Sequence, residues 1–280
     1  ITTQFTMIEL EELGLLKMDF LGLRTLTVIR DALKLIEDNH GKKIDFSNSN
    51  HDDANVYKMF SKGETLGIFQ FESSGMRQVL KELKPTRLED IIAANSLYRP
   101  GPMSQIPRFI ENKENPSKVE YLHPKLEPIL NVTYGCMVYQ EQVMQIVRDI
   151  GGFSMGRSDL VRRAMGKKKM DVMEEERRHF IYGKTDENGN VEITGAIRNG
   201  VSEEVANKIY DEMIDFAKYA FNKSHSAAYA VIAYQTAWLK CYYPVEFMAA
   251  LITSIMGNTT SVTQYIEECK RLNIEILPPD

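Results

Sequence analysis

The amino-acid sequence of 280 residues predicts a mainly α-helical fold with one short β segment near its start. Two observations predict the helices. Apolar residues recur three and four positions apart along most of the chain, which is the spacing of a helix with one buried face. Residues that favour helix starts precede these segments, and Gly or Pro follows them. The β segment is predicted because residues 15–20 alternate between apolar and polar, the period of a strand.

Composition narrows the class of protein. Hydrophobic residues make up 43% of the chain and charged residues 26%, as in a globular protein with one large domain or two small ones. Cys136, Cys241 and Cys269 form no CxxC pair, which argues against a zinc ribbon or a disulfide framework and suits a reducing cytoplasm. No signal-peptide pattern is present, and the longest apolar run is far shorter than the ~20 residues a membrane helix needs. We therefore expect a soluble, cytoplasmic protein. The first residue, Ile1, suggests a piece of a longer one.

The β segment carries the first candidate site. Leu16, Met18 and Phe20 would share one face of the strand, and Lys17 and Asp19 the other. Asp19 could bind a divalent cation while Lys17 contacts phosphate oxygens. Alternatively, the two form a solvated ion pair worth ~0–1 kcal/mol. Spacing alone favours the ion pair.

Four helices are predicted in the first half of the chain. They cover residues 23–37, then Asp52-Asp53 to Phe60, then Ser73-Ser74 to a point before Pro85, and finally a helix that Thr86 caps and that runs through Ala94. Residues 98–103, with two prolines and a glycine, predict a rigid, non-helical loop. Residues 111–128 are polar and Pro-rich, which predicts a surface connection.

The second half predicts three long helices and a hairpin. The helices are expected over Tyr139–Ile150, Ser202–Tyr219 and Ser224–Tyr242. The segment Thr185–Thr194 contains Asp, Asn and Gly in succession and predicts a small hairpin or exposed turn.

A basic run between Arg157 and Lys169 is the second candidate site. It holds six basic residues and one acid and so carries +5 in a chain whose net charge is −5. Such a concentration of charge favours an anionic partner. In a helix, Asp159 is expected to neutralise only one of Arg162 and Arg163, and the remaining charge is uncompensated until residues 174–176. The alternative is an ordinary solvated helix face.

The third candidate site is the start of the last long helix. Asn222, Ser224 or Ser226 can cap it, and the free amides of its first turn would then bind phosphate together with Lys223 and His225. The alternative is a capped helix whose Lys and His side chains face water.

Four motifs in this chain match one family. They are LKMDFLGLRTL at 16–26, LYRPGPM at 97–103, GFSMGRSDLVRRAMGKK at 152–168 and FNKSHSAAY at 221–229. In this order they closely resemble the alpha subunits of bacterial DNA polymerase III, the C-family replicative polymerases, along essentially the whole chain. The chain resembles only the middle of these longer proteins.

The resemblance implies a domain arrangement and a set of site residues. Residues 1–24 would be the C-terminal part of a palm domain related to DNA polymerase beta, and residues 25–280 a helical fingers domain. Asp19 would be the third metal-binding, catalytic aspartate; the other two lie on an upstream strand. The nucleotide-binding residues would be Lys17, Arg162, Arg163, Lys223 and His225. We assign DNA contacts to Arg99, Arg157, Lys167 and Lys168.

The implied function is nucleotidyl transfer by a DNA-directed DNA polymerase. Two Mg²⁺ ions would clamp the attacking 3′-oxygen and the leaving pyrophosphate, and basic side chains would neutralise the phosphates. The expected partners are template-primer DNA, deoxynucleoside triphosphates and, through regions outside this chain, other replicase subunits. Asp19 alone cannot assemble a two-metal site, so we expect the isolated chain to be inactive. The alternatives are a non-catalytic nucleic-acid-binding helical module and a structural domain that organises partner subunits.

Overall fold

A computed structural model of the chain describes residues 2–16, 18, 22–166, 170–217 and 219–277. The predicted mainly α-helical fold is confirmed, since most of the described residues lie in helices. The strands among the described residues form one two-stranded sheet. No helix in these ranges has both the length and the apolar character needed to cross a bilayer.

Fourteen α-helices lie in the described part of the chain. They are α1 (Met7–Glu12), α2 (Arg24–His40), α3 (Ala54–Ser61), α4 (Ser74–Leu83), α5 (Leu88–Leu97), α6 (Ile106–Glu114), α7 (Glu127–Leu130), α8 (Gln140–Gly151), α9 (Met155–Gly166), α10 (Met170–Tyr182), α11 (Glu203–Ala217), α12 (Lys223–Tyr242), α13 (Pro244–Thr253) and α14 (Thr259–Arg271). Short 3₁₀ helices cover Pro102–Gln105, Pro116–Lys118, Pro124–Leu126 and Asn131–Thr133, and the strands are β1 (Lys184–Thr185) and β2 (Val191–Ile193).

The helices enclose two hydrophobic cores. The first core is built by α2 to α6 together with α12, α13 and α14, and it includes Phe60, Phe71 and Phe247. The second core is built by the helices from α7 to α11 and includes Phe180 and Tyr210. In sequence, the second core lies between the two halves of the first, apart from Cys136, Val138 and Tyr139, which belong to the first core. The chain therefore forms two helical lobes, which we call the first-core lobe and the second-core lobe.

The predicted helices of the first half are present, with one correction. Asp53 caps α3 through its Oδ1, which accepts a hydrogen bond from Asn55 N at 2.8 Å, and Ser73 caps α4. The predicted Thr86 cap of α5 is wrong, because the cap position is Arg87. Thr86 instead donates its backbone N–H to Asp90 Oδ2 at 2.9 Å, so the carboxylate in the first helical turn is the acceptor.

Two predicted irregular segments contain helices. A 3₁₀ turn begins at Pro102 and α6 at Ile106, so the predicted non-helical loop is correct only before Pro102. Proline fits the first helical turn because its missing N–H has no intrahelical partner there. The predicted surface connection over 111–128 is also shorter than expected, since α6 reaches Glu114 and Leu126 is buried in the second core.

The elements predicted in the second half are confirmed to within a few residues, as α8, α11 and α12. The predicted hairpin is β1 and β2, which pair antiparallel with Lys184 opposite Ile193. The predicted β segment is wrong for Leu15, Leu16 and Met18, which belong to no strand, and Leu16 and Met18 are 80% and 67% exposed. The other residues of that segment, Lys17, Asp19 and Phe20, lie outside the described residues.

Candidate functional site

A cavity of about 770 Å³ opens on the first-core lobe where the start of α12 meets the end of α5. The starts of α2 and α4 and the loop at 67–73 complete its wall. Two predicted site residues, Arg99 and His225, line it. Its other polar and aromatic lining residues are Arg24, Thr25, Phe69, Gln70, Glu72, Ser73, Asn95, Tyr98, Phe221, Tyr229 and Tyr265.

Arg99 is held in the cavity by the end of α5 and by the chain that precedes α12. Its Nε donates to Ser96 O at 3.0 Å and its Nη2 to Tyr219 O at 2.9 Å. The guanidinium carbon lies 4.1 Å from the centroid of the Phe221 ring, a cation–π contact. Burial lowers the pKa of Arg99, yet a guanidinium remains charged in proteins. Among the described residues Arg99 forms no ion pair.

His225 is the third residue of α12, in its first turn, and two aromatic rings contact its side chain. Its imidazole stacks on Tyr229 with ring centroids 4.3 Å apart and meets Phe221 edge-on at 5.4 Å. Its backbone N–H is bound by Asn222 Oδ1 at 2.9 Å, so Asn222 is the cap among the three candidates. The ring is thereby fixed in the wall of the cavity.

The first turn of α12 differs from the prediction because two of its amides already have acceptors. One is the His225 N–H just described. Lys223 N donates to both oxygens of Glu141, at 3.1 and 3.0 Å, and Asn222 Nδ2 donates to the same carboxylate at 2.9 Å. The prediction that the first-turn amides are free is therefore wrong for Lys223 and His225, and phosphate binding at this helix end stays a prediction. The Lys223 ammonium lies 5.3 Å from the Tyr139 ring centroid.

The described part of the basic run lies in α9, in the second-core lobe, and one carboxylate binds both of its adjacent arginines. Asp159 Oδ1 accepts from Arg162 Nε and Nη2 at 3.0 and 2.7 Å, and Asp159 Oδ2 lies 2.8 Å from Arg163 Nε. The prediction that Asp159 neutralises only one arginine is wrong, because positions three and four residues on are both helix neighbours. Hydrogen bonding from Arg162 lowers the pKa of Asp159. The Arg162 side chain is 20% exposed and that of Arg163 62%.

Arg157 is compensated by residues that are distant in sequence. Its Nη2 lies 2.9 Å from Glu176 Oε1 and its Nη1 2.7 Å from Glu192 Oε1. Glu176 belongs to the acidic residues 174–176 at which the sequence predicts compensation, whereas Glu192 was not predicted; the folding of α10 and β2 onto α9 brings both acids to Arg157. Of the other predicted site residues, Lys17, Asp19, Lys167 and Lys168 lie outside the described residues.

The chain before α12 connects the arginine helix to the cavity. A Cβ placed on Gly166, at the end of α9, would lie 3.8 Å from Ala217 O at the end of α11. Two residues after Ala217, the Tyr219 carbonyl binds Arg99, and Phe221 follows it in the cavity wall. The structure therefore brings Arg99 and His225 together and places the helix of Arg162 and Arg163 beside the segment that leads to them.

Sequence reasoning missed several residues of this site. Arg24 begins α2 and lines the cavity, and it forms no ion pair with any described residue. Its position in the motif at 16–26 could have indicated a role in the site. Tyr98 rests against α4 so closely that a Cβ on Gly75 would lie 1.9 Å from its hydroxyl oxygen. Gln70 has a φ of +65°, which is uncommon for a residue other than glycine. The spacing of hydrophobic residues does not indicate either Tyr98 or Gln70 as part of a site.

The described residues do not fit a metal site by themselves. None of their His, Cys, Asp and Glu side chains forms a group of three or more that could hold an ion. Glu72, whose carboxylate lines the cavity, instead accepts hydrogen bonds from Gly67 N and the Tyr265 hydroxyl.

Comparison with known proteins agrees with the resemblance seen in the motifs. The profile of the bacterial DNA polymerase III alpha subunit finger domain matches residues 25–188. The DNA polymerase III subunit alpha of Bacillus subtilis (strain 168) is 48% identical over 277 residues, which are 99% of this chain and 24% of that protein. The subunits named in the same way from Halalkalibacterium halodurans and Staphylococcus aureus (strain COL) are 46% and 47% identical, again over 99% of this chain and over 24% and 25% of their own length.

The chain thus spans about a quarter of the length of the curated relatives that it matches. The matched profile covers α2 through α10 and the first strand of the hairpin, and it includes Arg99, Arg162 and Arg163. The chain belongs to the family of bacterial DNA polymerase III alpha subunit finger domains.

Proposed function

We propose that this chain is the nucleotide-binding and DNA-binding part of a DNA-directed DNA polymerase, working within a longer protein. The observation that carries the proposal is that Arg99 and His225 line one cavity in a chain of the finger-domain family, while the end of α9 meets the end of α11, from which the chain leads to Tyr219 and Phe221. The substrates would be a deoxynucleoside triphosphate and template-primer DNA. The names of the relatives support a polymerase, and the cavity supports an aromatic, anionic ligand.

Each side chain would have a distinct role in this proposal. Arg162 and Arg163 would neutralise the triphosphate, since a planar guanidinium can bind two phosphate oxygens at once. Arg99, which has no carboxylate partner among the described residues, would contact phosphate of the DNA or nucleotide. The ring of His225, fixed by Tyr229, would offer a flat surface to the nucleotide. Lys223 would add positive charge near the same end of α12, and Arg157, Lys167 and Lys168 would contact the DNA backbone.

Two residues outside the described ranges, Asp19 and Lys17, would take part in metal and phosphate binding. Asp19 would be one ligand of a Mg²⁺ site completed by carboxylates from outside this chain, with Lys17 beside it on the phosphates. When bound, the ions would supply charge neutralisation at the attacking and leaving oxygens. Residues 1–24 would then belong to a palm domain, and residues 25–280 to the fingers domain. Other replicase subunits would bind elsewhere in the longer protein.

Nucleotide incorporation by the full-length polymerase tests the proposal. Arg162→Ala and Arg99→Ala should each lower incorporation far more than they lower thermal stability. Arg148→Ala is the matched control, because Arg148 lies exposed on α8 and pairs only with the adjacent Asp149 among the described residues. If the first two variants lose only folded protein and keep the rate per folded molecule, the arginines are structural and the proposal fails.

A non-catalytic nucleic-acid-binding module is the second candidate, and the basic residues of α9 favour it equally. Binding to duplex DNA should weaken with salt in either case, with a log–log slope of roughly −0.9 for each phosphate contacted. Asp19→Asn in the full-length protein separates the two functions. A polymerase should lose synthesis and keep DNA binding, whereas a binding module has no synthesis to lose. Synthesis that persists in Asp19→Asn would exclude the assigned catalytic role.

A further inference from the structure

We propose that Glu141 is a positioning residue for the nucleotide site, an inference that rests on the proposed function. Glu141 lies in the first turn of α8, in the second-core lobe, and its carboxylate reaches the start of α12 in the first-core lobe. It therefore joins the two lobes at the cavity.

The segment around Glu141 forms a continuous contact with the segment that begins α12. Phe221 N donates to Val138 O at 3.4 Å, and Gln140 N donates to Phe221 O at 2.9 Å. Gln140 Nε2 donates to Ala220 O at 3.1 Å. Tyr139 and Phe221 form a parallel β-bridge. These bonds place Phe221, on which the Arg99 guanidinium rests.

Glu141 completes this contact at the helix end itself. Its two oxygens accept from Lys223 N and one of them also from Asn222 Nδ2, all within 3.1 Å. Among the described residues no Lys, Arg or His side chain lies within ion-pair distance of the Glu141 carboxylate. Its negative charge is therefore stabilised by N–H donors and by the positive end of the α12 dipole.

The position of this carboxylate has two consequences for the site. It fixes the first turn of α12, and with it the Asn222 cap that binds the His225 backbone. It also occupies the helix end that a phosphate would otherwise use, so the triphosphate would be directed to the arginine side chains. Removing the carboxylate should therefore disturb nucleotide binding more than the chemical step.

Steady-state incorporation by the full-length polymerase tests the role of Glu141. Glu141→Ala should raise the KM for the deoxynucleoside triphosphate about tenfold, as expected when charge-assisted hydrogen bonds at a helix end are lost, with a much smaller change in kcat. Glu141→Gln should show a smaller increase in KM, because its remaining oxygen can still accept from Lys223 N. Added acetate should lower the KM of Glu141→Ala by filling the vacated site.

Asp53→Ala is the matched control. Asp53 caps α3 with its carboxylate and lies at the other end of α12, where the Tyr242 hydroxyl donates to its Oδ2 at 2.7 Å. This variant should lose similar thermal stability with an unchanged KM and no response to acetate. An unchanged KM in Glu141→Ala, an equal increase in Asp53→Ala, or the absence of acetate rescue would overturn the positioning role. If Arg99→Ala and Arg162→Ala raise KM while Glu141→Ala does not, this inference alone fails and the proposed function stands.

Discussion

At the scale of single residues, the ion pair between Lys240 and Glu268 is the most enclosed charge interaction of the first-core lobe that we describe. Their side chains are 1% and 5% exposed, and Lys240 Nζ lies 2.6 Å from Glu268 Oε1. The same ammonium donates to Glu64 O and Leu66 O, and Arg271 binds the carboxylate. The pair thereby fastens α12 to α14 and to the loop at 64–66 beneath the cavity. All three protons of the ammonium have acceptors.

Glu268→Gln should destabilise the protein by about 3–5 kcal/mol, because it leaves the Lys240 charge buried without an anion. Glu204→Gln is the matched control, since Glu204 forms an exposed i,i+4 pair with Lys208 and should change the unfolding free energy very little. Urea denaturation measures both. Equal effects of the two substitutions would contradict this account of the buried pair.

The same carboxylate predicts an acid-sensitive fold. Burial acts to raise the pKa of Glu268, but hydrogen bonds from Arg271 and Lys240 outweigh it, so the pKa lies below its ordinary value of 4.5. The stabilisation is complete above pH 4.5 and is lost as pH falls through the lower, folded-state pKa. Unfolding free energies measured from neutral pH downward should therefore fall more steeply below pH 4.5 in the native protein than in Glu268→Gln. Parallel pH profiles would rule out this contribution.

Asp159 shows what sequence could and could not predict at this scale. The basic run was evident from the sequence, although its helix was only assumed. The shared carboxylate could have been predicted from that helix, because Arg162 and Arg163 lie three and four residues after Asp159 and are both its neighbours. The partners of Arg157 could not, since they come from α10 and β2. Spacing within one helix reports only neighbours on that helix.

Asp159→Ala should lower nucleotide incorporation by the full-length polymerase, although it adds positive charge. The reason is that Arg162 and Arg163 would lose the acceptor that orients both guanidinium groups. Asp159→Asn should retain more activity, because its carbonyl oxygen still accepts. Single-turnover incorporation distinguishes the variants. Faster incorporation in Asp159→Ala would mean that the carboxylate competes with the phosphates instead of positioning the arginines.

At the scale of elements, helices with a clear apolar stripe were predicted and others were missed. The spacing of Ile29 and Ile36 predicted α2, although Leu26, which belongs to the same pattern, is exposed. In α14 the buried side chains include Glu268, so its stripe is not apolar throughout. The 3₁₀ turn at Pro102 was hidden because proline indicates both loops and first helical turns.

The loop between α5 and the 3₁₀ turn is predicted to require glycine at position 101. Gly101 has a φ of +106°, and a Cβ there would lie 2.3 Å from the Tyr219 ring. Gly101→Ala should therefore destabilise the protein by roughly 1–3 kcal/mol and displace the Tyr219 segment that holds Arg99. Gly257→Ala is the control, because no atom lies within 4 Å of its Cβ and its φ is not positive. Thermal unfolding that is equal in both variants would contradict the steric argument.

At the scale of the whole molecule, the two cores divide the described chain into lobes of different size. Sequence composition allowed one large domain or two small ones and could not choose between them, because hydrophobic spacing shows that a helix face is buried but not which face it meets. The insertion of the second core between the halves of the first is a property of the fold alone. The Arg99 and His225 cavity lies near the junction, where Val138 and Gln140 bind the segment that leads into α12.

The lobes should unfold as separate cooperative units. The second core has fewer buried side chains than the first, so amides of α8 and α11 should exchange by openings of lower free energy than amides of α12. Tyr210→Phe removes a buried hydrogen bond to Met173 O and should lower the opening free energy of the second-core lobe by about 1 kcal/mol, leaving α12 unchanged. Tyr265→Phe, which removes the hydrogen bond to Glu72 in the first-core lobe, should lower the opening free energy of that lobe and leave α8 and α11 unchanged. Native-state hydrogen exchange measures both. If each variant lowers the opening free energy of both lobes equally, the molecule unfolds as one unit, and the junction at Glu141 transmits stability as well as position.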